Sequence, residues 1–260
     1  MTSIKDIIET LEHFAPLPLQ EDWDNAGLQI GLTETDASGV LLCLDVTEQV
    51  VDEAISKQYN LIVSHHPLLF HGLKQITDAD YVQRVVIKAI RNGIAIVSMH
   101  TNLDNAVDGV NWKIAEKLGL VNIRFLSNNA DTESGSGAIG EFAEPVAAKD
   151  FVEKVKQSLE CDCVMTNELL ARPIRRVALC GGAGAFLLNE AINQKADAFL
   201  TGEMHYHEYF GHEQQIQIAV TGHYESEHFT TEIFRDVLKE VYPSLHLEIS
   251  QTVTNPIRYW

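Results

Sequence analysis

The sequence has 260 residues, 45% of them hydrophobic, and a formal net charge of −18 at pH 7. A chain of this length can bury the core of one large α/β domain or of two small ones. Because a nucleic-acid-binding surface needs clustered Lys and Arg, the acidic balance excludes DNA and RNA as partners. An acidic surface concentrates cations instead.

The N-terminal segment and the cysteines indicate a cytoplasmic protein. Residues 1–14 mix charged and apolar side chains, which predicts an amphipathic helix and not a signal peptide. No run approaches the roughly 18 to 20 apolar residues of a membrane span, so no membrane contact is expected. The four cysteines match neither a zinc nor a redox spacing, and we expect reduced, mostly buried thiols.

Taken in order, the chain alternates strand and helix patterns. Strands are predicted at 28–31, 39–45, 61–64, 94–98, 138–142, 163–165, 176–180, 198–201, 216–221 and 245–250. Helices are predicted at 1–14, 48–57, 80–92, 147–159, 186–194 and 225–241, with a further one ending near 118. Such alternation is typical of an α/β fold with largely parallel sheets.

A polar, glycine-rich segment divides the pattern. Residues 128–137 lack apolar periodicity, which predicts a boundary between two halves. We therefore expect a first α/β lobe over 1–128 and a second, related lobe over 136–260, the two forming one functional unit.

Two consecutive histidines, His65 and His66, follow the predicted strand 61–64. Ligands bind at the carboxyl ends of strands in open α/β sheets, so this position suits a metal site. Neighbouring side chains on an extended backbone point in opposite directions, and the pair is expected to serve two ions rather than one. The alternative is a pair of structural histidines at a loop edge.

An internal repeat links the two halves. Residues 40–66 overlay on 177–203 at a constant offset of 137 without a gap, and the overlay places Glu203 at the position of His66. Six overlaid pairs are identical, namely Val40/Val177, Leu42/Leu179, Cys43/Cys180, Glu53/Glu190, Ala54/Ala191 and Ile55/Ile192. We interpret the match as a duplication, the alternative being chance similarity between two βα units.

A second overlay, at an offset of 123, concerns polar residues. It places His100 on His223 and Asp104 on Glu227, so that both halves carry His-x-x-x-carboxylate after a strand. On a helical turn this spacing puts both side chains on one face, within reach of a common ion.

The candidate metal ligands are nitrogen and oxygen donors near strand ends. They are His65, His66, His100, Asp104, His223 and Glu227. Donors of these types without thiolate suit a dinuclear hydrolytic site that uses Zn, Fe, Mn, Ni or Mg, and they do not choose among these metals. Two ions about 3.5 to 4 Å apart can hold a bridging hydroxide that is a nucleophile at neutral pH.

Five motifs in order give the chain a resemblance to a known family. They are 23–28 (WDNAGL), 64–67 (SHHP), 100–104 (HTNLD), 201–203 (TGE) and 222–227 (GHYESE). Together they resemble the GTP cyclohydrolase 1 type 2 family, also called NIF-three-like proteins. The resemblance covers essentially the whole chain, which matches the short form of the family without an inserted domain.

The resemblance implies a fold, an assembly and a site. The fold is two intertwined, related α/β/α lobes with a dinuclear metal site between them, and the assembly is a toroidal homohexamer. The ligands carried over are His65, His66, Asp104, His223 and Glu227. We expect His65 and Asp104 on one ion, His66 and His223 on the other, and Glu227 between them, although this division can be inverted.

The implied activity is a metal-dependent hydrolysis of a small molecule. The family name implies opening of the purine ring of GTP, in which a metal-bridging hydroxide would attack the ring, and we expect His100 and Glu227 to be the catalytic residues. His100 is a weak ligand or proton-transfer group in one interpretation, and a partner that orients a ligand in the other. No guanine-recognition motif is evident in the sequence.

Other interpretations remain open from the sequence. The chain can be a metal-binding regulatory or interaction scaffold with little turnover, or a phosphohydrolase acting on a small nucleotide. The glycine-rich turn 180–185 can hold a phosphate or serve packing alone. Trp23 and Asp24 can line the metal cleft or form a structural Asx turn.

Overall fold

The computed structural model describes residues 2–128 and 134–260, in two compact units. Unit 1 comprises Met1–Leu103 and His228–Arg258, and unit 2 comprises Asp104–Glu227 and Tyr259–Trp260. The chain therefore leaves unit 1 after Leu103, returns to it at His228, and ends with two residues assigned to unit 2.

The regular elements follow the alternation that the sequence predicts. The strands are β1 (Gly27–Ile30), β2 (Val40–Cys43), β3 (Leu61–Ser64), β4 (Ala95–Ser98), β5 (Val121–Asn128), β6 (Gly135–Val146), β7 (Met165–Thr166), β8 (Ile174–Cys180), β9 (Ala198–Thr201), β10 (Gln217–Val220) and β11 (Leu247–Ile249). The helices are α1 (Ile4–Phe14), α2 (Glu48–Lys57), α3 (Tyr81–Arg91), α4 (Thr101–Asp104), α5 (Val110–Lys117), α6 (Ala148–Ser158), α7 (Leu188–Asn193), α8 (His223–Glu227) and α9 (Thr230–Val241). The α/β fold class is confirmed.

Unit 1 is built on a five-stranded sheet in the order β1-β4-β3-β2-β11. The four strands from β4 to β11 are parallel, and β1 joins β4 antiparallel at the edge. Because β2, β3 and β4 are covered on both faces, every one of their residues is buried. Apolar residues of α2 and α3 share one core cluster with Leu41, Ile62 and Ile96, while α9 packs on β2 and against α1.

Unit 2 is built on a six-stranded mixed sheet in the order β5-β6-β8-β9-β10-β7. Its centre, β8, β9 and β10, is parallel, and the flanking strands run antiparallel to their neighbours. The apolar residues of α7 pack with Ala178, Phe199 and Ile218 in one core cluster. The expectation of largely parallel sheets therefore holds for the centre of each sheet, and not for β1 at one edge of unit 1 or for the flanking strands of unit 2.

The internal repeat is visible in strand register. Val40 lies opposite Leu61 in the β2/β3 pair, and Val177 lies opposite Ala198 in the β8/β9 pair, which are equivalent positions at the offset of 137. The turn before the second strand repeats as well. Gln58 and Lys195, again equivalent, both adopt left-handed backbone conformations, with φ of 60° and 58°.

The polar contact that fixes the first strand of each pair to the second also repeats. The backbone amide of Ser38 donates to the Asn60 side chain at 2.9 Å, and the amide of Arg175 donates to Asp197 at 2.9 Å. Because a bond between side chain and backbone recurs at the same offset as the strand register, the match favours duplication over chance similarity.

The second overlay aligns the two halves at an offset of 123, which is shifted by one residue from the alignment that strand pairing gives. Ser64 lies opposite Ser98, and the equivalent Thr201 lies opposite Val220. His100 thus follows its strand partner by two positions and His223 follows its own by three. The additional residue is accommodated in a turn where Gly222 has a φ of 113°.

The predicted lobe boundaries, 1–128 and 136–260, do not coincide with the two units. β11, near the C-terminus, pairs with β2 and therefore adds to the sheet of unit 1. Both described ends of the predicted linker 128–137 belong to strands: β5 ends at Asn128, β6 begins at Gly135, and these two residues are paired. Residues 129–133 of that prediction lie outside the described residues.

Two predicted helices are shorter than expected. The helix predicted to end near 118 is divided into α4 and α5, with residues 105–109 between them. The helix predicted over 225–241 is divided into α8 and α9 at His228 and Phe229. Within residues 2–128 and 134–260, no helix is long and apolar enough to cross a membrane.

Asp197 gives a test of how unit 2 is stabilised. Burial raises the pKa of its carboxyl group, but the backbone amides of Arg176 and Arg175 and the Arg172 side chain donate hydrogen bonds that outweigh burial and lower the pKa below 3.8. Because the folded-state pKa is lowered, the stabilisation is complete above the unfolded-state pKa of about 3.9 and is lost as pH falls through the folded-state pKa.

We therefore expect Asp197→Asn to lower the free energy of unfolding by about 1–2 kcal/mol at pH 7. The difference from the wild type should shrink as the pH is lowered from about 5 towards the folded-state pKa. Urea unfolding across this pH range measures both effects, with the exposed Asp162→Asn as the matched control. A difference of equal size at both ends of the range would argue against this role of the carboxylate.

Candidate metal centre

Strand pairing in unit 1 brings three histidines to one edge of the sheet. β3 and β4 are parallel, their last residues Ser64 and Ser98 are paired, and the two hydroxyl oxygens lie 2.8 Å apart. His65 and His66 directly follow β3, and His100 lies two residues after β4. One ring nitrogen from each histidine lies within 4.8 Å of the others, so the three imidazoles form a group that can hold a metal.

The two adjacent imidazoles lie on the same side of the strand end, contrary to the expectation for an extended chain. The backbone leaves the strand conformation after Ser64, and the amides of His65 and His66 both donate to the carbonyl of Leu44. The ring centroids of His65 and His66 are consequently 5.0 Å apart. This geometry allows the pair to contribute to one ion as well as to two.

Each of the three imidazoles has its Nδ1 atom held by an oxygen. The partners are the carbonyl oxygen of Met99 for His65 (2.8 Å), Asp45 for His66 (2.7 Å) and Asp24 for His100 (2.7 Å). An Nδ1–H group that donates to oxygen fixes the tautomer and leaves the Nε2 lone pair for a metal. The second ring nitrogen is therefore oriented as a ligand atom in all three.

Both carboxylates that hold these imidazoles are ionised at neutral pH. Burial raises the pKa of Asp24, but hydrogen bonds from His100 and Thr101 more than offset it and lower the pKa to about 2. Burial likewise raises the pKa of Asp45, and hydrogen bonds from His66 and Thr254 lower it below 3.8. Because an ionised carboxylate can only accept, Nδ1 of His66 and of His100 carries the proton.

Unit 2 has a related arrangement at the end of β10. The short helix α8 places His223 and Glu227 one turn apart, and Nε2 of His223 lies 3.0 Å from Oε2 of Glu227. Nδ1 of His223 lies 2.9 Å from Oε1 of Glu203. The predicted sharing of one face by His223 and Glu227 is confirmed.

Asp104, the remaining predicted ligand, is the last residue of α4 and the first residue of unit 2. Its side chain is partly buried, and its backbone carbonyl accepts a hydrogen bond from the Asn111 side chain at 3.1 Å. The role of Asp104 as a ligand stays a prediction.

The sequence identified the histidines but not all of the groups that orient them. The sequence predicts Asp24 only as a residue that lines the cleft or forms a turn, and it indicates no role for Asp45. Glu203 emerged from the repeat as the equivalent of His66, without a role. The available signal was position, since Asp45 and Glu203 both lie within two residues of the end of a parallel strand.

Three glycine amides in the turn after β8 are hydrogen-bonded within the protein. The amides of Gly181, Gly182 and Gly184 donate to side-chain oxygens. The acceptors are Asn111, Ser226 and Thr201, each at 3.0 Å. These three bonds favour the packing interpretation of the turn, and Gly182 lies against the metal-competent side chains of Glu227 and His223.

The contact of Gly182 with these side chains provides a prediction. Gly182 has a φ of 56°, and a Cβ atom there would collide with Oε1 of Glu227 and lie 3.3 Å from Cε1 of His223. We expect Gly182→Ala to displace the Glu227 carboxylate, to lower metal uptake and to cost about 1 kcal/mol of stability. Elemental analysis and urea unfolding measure the two effects.

Gly211→Ala is the matched control, because Gly211 has a φ of 81° but nothing within 4 Å of the added atom. The control should have a lower free energy of unfolding, because its backbone has a positive φ, but it should take up as much metal as the wild type. Equal metal uptake by the two variants would contradict the steric explanation.

The donor set fits a divalent cation in its chemistry. Oriented neutral imidazoles with carboxylate partners are common ligands of zinc, iron, manganese and nickel, and they do not distinguish among these metals. The fold and the site therefore define an α/β protein whose strand ends carry histidine and carboxylate groups able to hold a metal.

Comparison with known proteins identifies the family. The Duf34/NIF3 (NGG1p interacting factor 3) family profile matches residues 2–256, and the chain belongs to this family. A Lactococcus lactis protein named GTP cyclohydrolase 1 type 2 homolog is 34% identical over 259 residues, covering 97% of this chain and 98% of the relative. The resemblance inferred from the five motifs is thereby confirmed.

Two further similarities extend the comparison. The protein NIF3 homolog of Schizosaccharomyces pombe is 35% identical over 239 residues, covering 87% of this chain and 84% of the relative. The crystal structure of Staphylococcus aureus protein SA1388 superposes with a TM-score of 0.91 at 27% identity, covering 100% of this chain and 99% of that one. The fold described above is therefore a fold of this family.

Proposed function

We propose that this protein is a metal-dependent hydrolase of a small molecule, with two divalent ions held by His65, His66, Asp104, His223 and Glu227. The observation that carries the proposal is the orientation of the His65 and His66 imidazoles, because an Nδ1 atom bound to oxygen leaves Nε2 as a ligand atom. When bound, divalent ions lower the pKa of a coordinated water and supply a nucleophile near neutral pH.

The residues of the chain have separate roles in this proposal. His65 is fully buried and is suited to a fixed ligand position, whereas His66 and His223 are partly exposed, as a site reached by substrate requires. Glu227, whose side chain is 5% exposed, brings a carboxylate to Nε2 of His223. A carboxylate in this position can bridge two ions or accept a proton from water.

His100 is the proposed proton-transfer group. Its Nδ1 proton is held by ionised Asp24, so Nε2 can accept and return a proton. Its ring centroid lies 5.3 Å from that of His65 and 5.5 Å from that of His66, which places it beside the other two imidazoles. Asp24 is thus a positioning residue for His100.

The proposed substrate is a nucleotide, and the proposed reaction is opening of the purine ring of GTP. This part rests on relatives that carry the name GTP cyclohydrolase 1 type 2 homolog. The test is to incubate the metal-loaded protein with GTP and to measure formate and inorganic phosphate separately. Formate release supports ring opening, whereas phosphate release alone identifies a phosphohydrolase acting on the same nucleotide.

A His100→Gln variant is the matched control for turnover, because it removes the proton-transfer group while retaining a polar side chain. We expect loss of product at nearly unchanged metal content. If neither formate nor phosphate forms with Zn, Fe, Mn, Ni or Mg, hydrolysis of GTP is ruled out and a metal-binding scaffold becomes the better explanation.

We further propose that the chain assembles as a homohexamer, as the family resemblance implies. Light scattering during size-exclusion chromatography tests the assembly directly. A mass of six chains supports the proposal, and a monomer contradicts it.

A further inference from the structure

Two exposed aromatic side chains lie beside the histidine group of unit 1. Trp23 is 59% exposed and Phe70 is 42% exposed, although both are large apolar residues. Their ring centroids are 5.8 Å apart and their planes are tilted by 34°. We call this pair the aromatic wall. Contiguous exposed apolar surface is one of the features that characterise ligand-binding sites.

The aromatic wall is attached directly to the candidate metal centre. The ring centroid of His100 lies 5.9 Å from that of Trp23 and 5.8 Å from that of Phe70. The imidazole plane stands at 74° to the plane of Trp23 and at 68° to the plane of Phe70, so both contacts are T-shaped. Trp23 also directly precedes Asp24, the carboxylate that holds His100. A small molecule lying on the wall would thus reach the imidazole group.

The wall is fixed by hydrogen bonds rather than by packing alone. Asn25 donates from its side chain to the carbonyl of Leu69 at 2.6 Å, and Gln29 accepts from the Leu69 amide at 3.2 Å. Gln29 in turn donates to the carbonyl of Asn25 at 2.6 Å. Since Leu69 immediately precedes Phe70, these bonds hold the loop that carries Phe70 close to the turn that carries Trp23. A preorganised surface loses little entropy when a rigid ligand binds.

We infer that Trp23 and Phe70 form the subsite that stacks a planar heteroaromatic ring of the substrate, such as a nucleobase. Aromatic faces bind flat rings by stacking and accept any base, because every base has a π-face. This recognition needs no hydrogen-bonding motif, in agreement with the absence of a guanine-recognition motif from the sequence. The inference rests on the proposed function for the placement of the substrate beside His100.

The test is to titrate guanosine into the wild type and into Trp23→Ala by calorimetry, with metal-loaded and metal-free protein. We expect the dissociation constant for guanosine to rise about tenfold in Trp23→Ala, the effect of losing one stacking ring. Trp23→Phe should restore most of the affinity. Inorganic tripolyphosphate lacks a ring, and its affinity should be the same in all three proteins.

Tyr206→Ala is the matched control, because Tyr206 is an exposed aromatic residue outside the wall, with 72% exposure. Guanosine affinity should be unchanged in it. An unchanged affinity in Trp23→Ala would overturn the inference. Dissociation of an oligomer by Trp23→Ala, measured by light scattering, would also overturn it, since a second copy of the chain would then cover the wall.

The same experiment separates this inference from the proposed function. If guanosine affinity depends on Trp23 but elemental analysis finds no bound metal, the hydrolase proposal fails and the ring subsite stands. If metal is bound and the guanosine affinity is the same in Trp23→Ala as in the wild type, the ring subsite is contradicted and the metal proposal stands.

Discussion

Alanine in place of His223 or Glu227 is expected to lower the bound divalent metal from about two ions per chain to one or none. The two side chains lie one turn apart on α8 with a 3.0 Å contact between Nε2 and Oε2, so the loss of either removes half of a paired donor set. The proposed site divides its other ligands between two ions. A variant that lacks the shared carboxylate of Glu227 should therefore lose more metal than one that lacks His223.

Elemental analysis of chains dialysed against excess metal measures this effect. His212→Ala is the matched control, because His212 belongs to unit 2 and its Nδ1 lies 3.1 Å from the side-chain oxygen of Gln215. Circular dichroism should show that all three variants remain folded. Metal content equal to that of the wild type in both site variants would contradict the assignment of these ligands.

Asp45→Asn is expected to weaken metal binding by about 10- to 100-fold while leaving the protein folded. The ionised carboxylate accepts the Nδ1 proton of His66 at 2.7 Å and thereby makes Nε2 a better donor to a metal. An amide in its place is a weaker acceptor, and it can present its NH₂ group to the ring and favour the other tautomer. Competition with a chromophoric chelator measures the change in affinity.

Two variants separate this effect from a general loss of structure. Asp45 also accepts a hydrogen bond from the Thr254 hydroxyl at 2.7 Å, so Thr254→Val removes that bond and retains the bond to His66. Asp52→Asn removes an exposed carboxylate that pairs with Lys88. Both should bind metal as the wild type does. A loss in Thr254→Val as large as that in Asp45→Asn would show that fixing the C-terminal segment, and not orienting His66, is the role of Asp45.

The strand ends and the histidines were predictable because they depend on local patterns. The apolar run before His65 is a strand buried on both faces, and parallel strands bring their carboxyl ends to one edge. The helical spacing of His223 and Glu227 is likewise local. Features that follow from neighbouring residues were therefore found in the sequence.

The groups that orient the histidines were not predictable, because they depend on pairings between distant segments. Asp45 follows β2 and meets His66 only because β2 and β3 lie side by side in register. Asp24 reaches His100 only because β1 pairs antiparallel with β4, a contact that no spacing in the sequence reveals. The pairing of β11 with β2 in the sheet of unit 1 is likewise a contact between distant segments of the chain.

The role of the glycine-rich turn after β8 could not be predicted from its sequence, for a different reason. Its sequence is compatible with a phosphate-binding loop, and only the acceptors of its amides decide the question. Asn111 and Ser226 supply two of these acceptors from segments far away in the chain. A motif that depends on unpaired amides thus requires the tertiary structure for its interpretation.

An anomalous diffraction experiment on crystals soaked with a single divalent metal tests whether the proposed metal centre exists. We expect two peaks per chain, bound through Nε2 of His65, His66 and His223, with each Nδ1 still bonded to its oxygen partner. Peaks at Nδ1 atoms, or no peak near these histidines at a metal concentration that saturates the protein in solution, would contradict it.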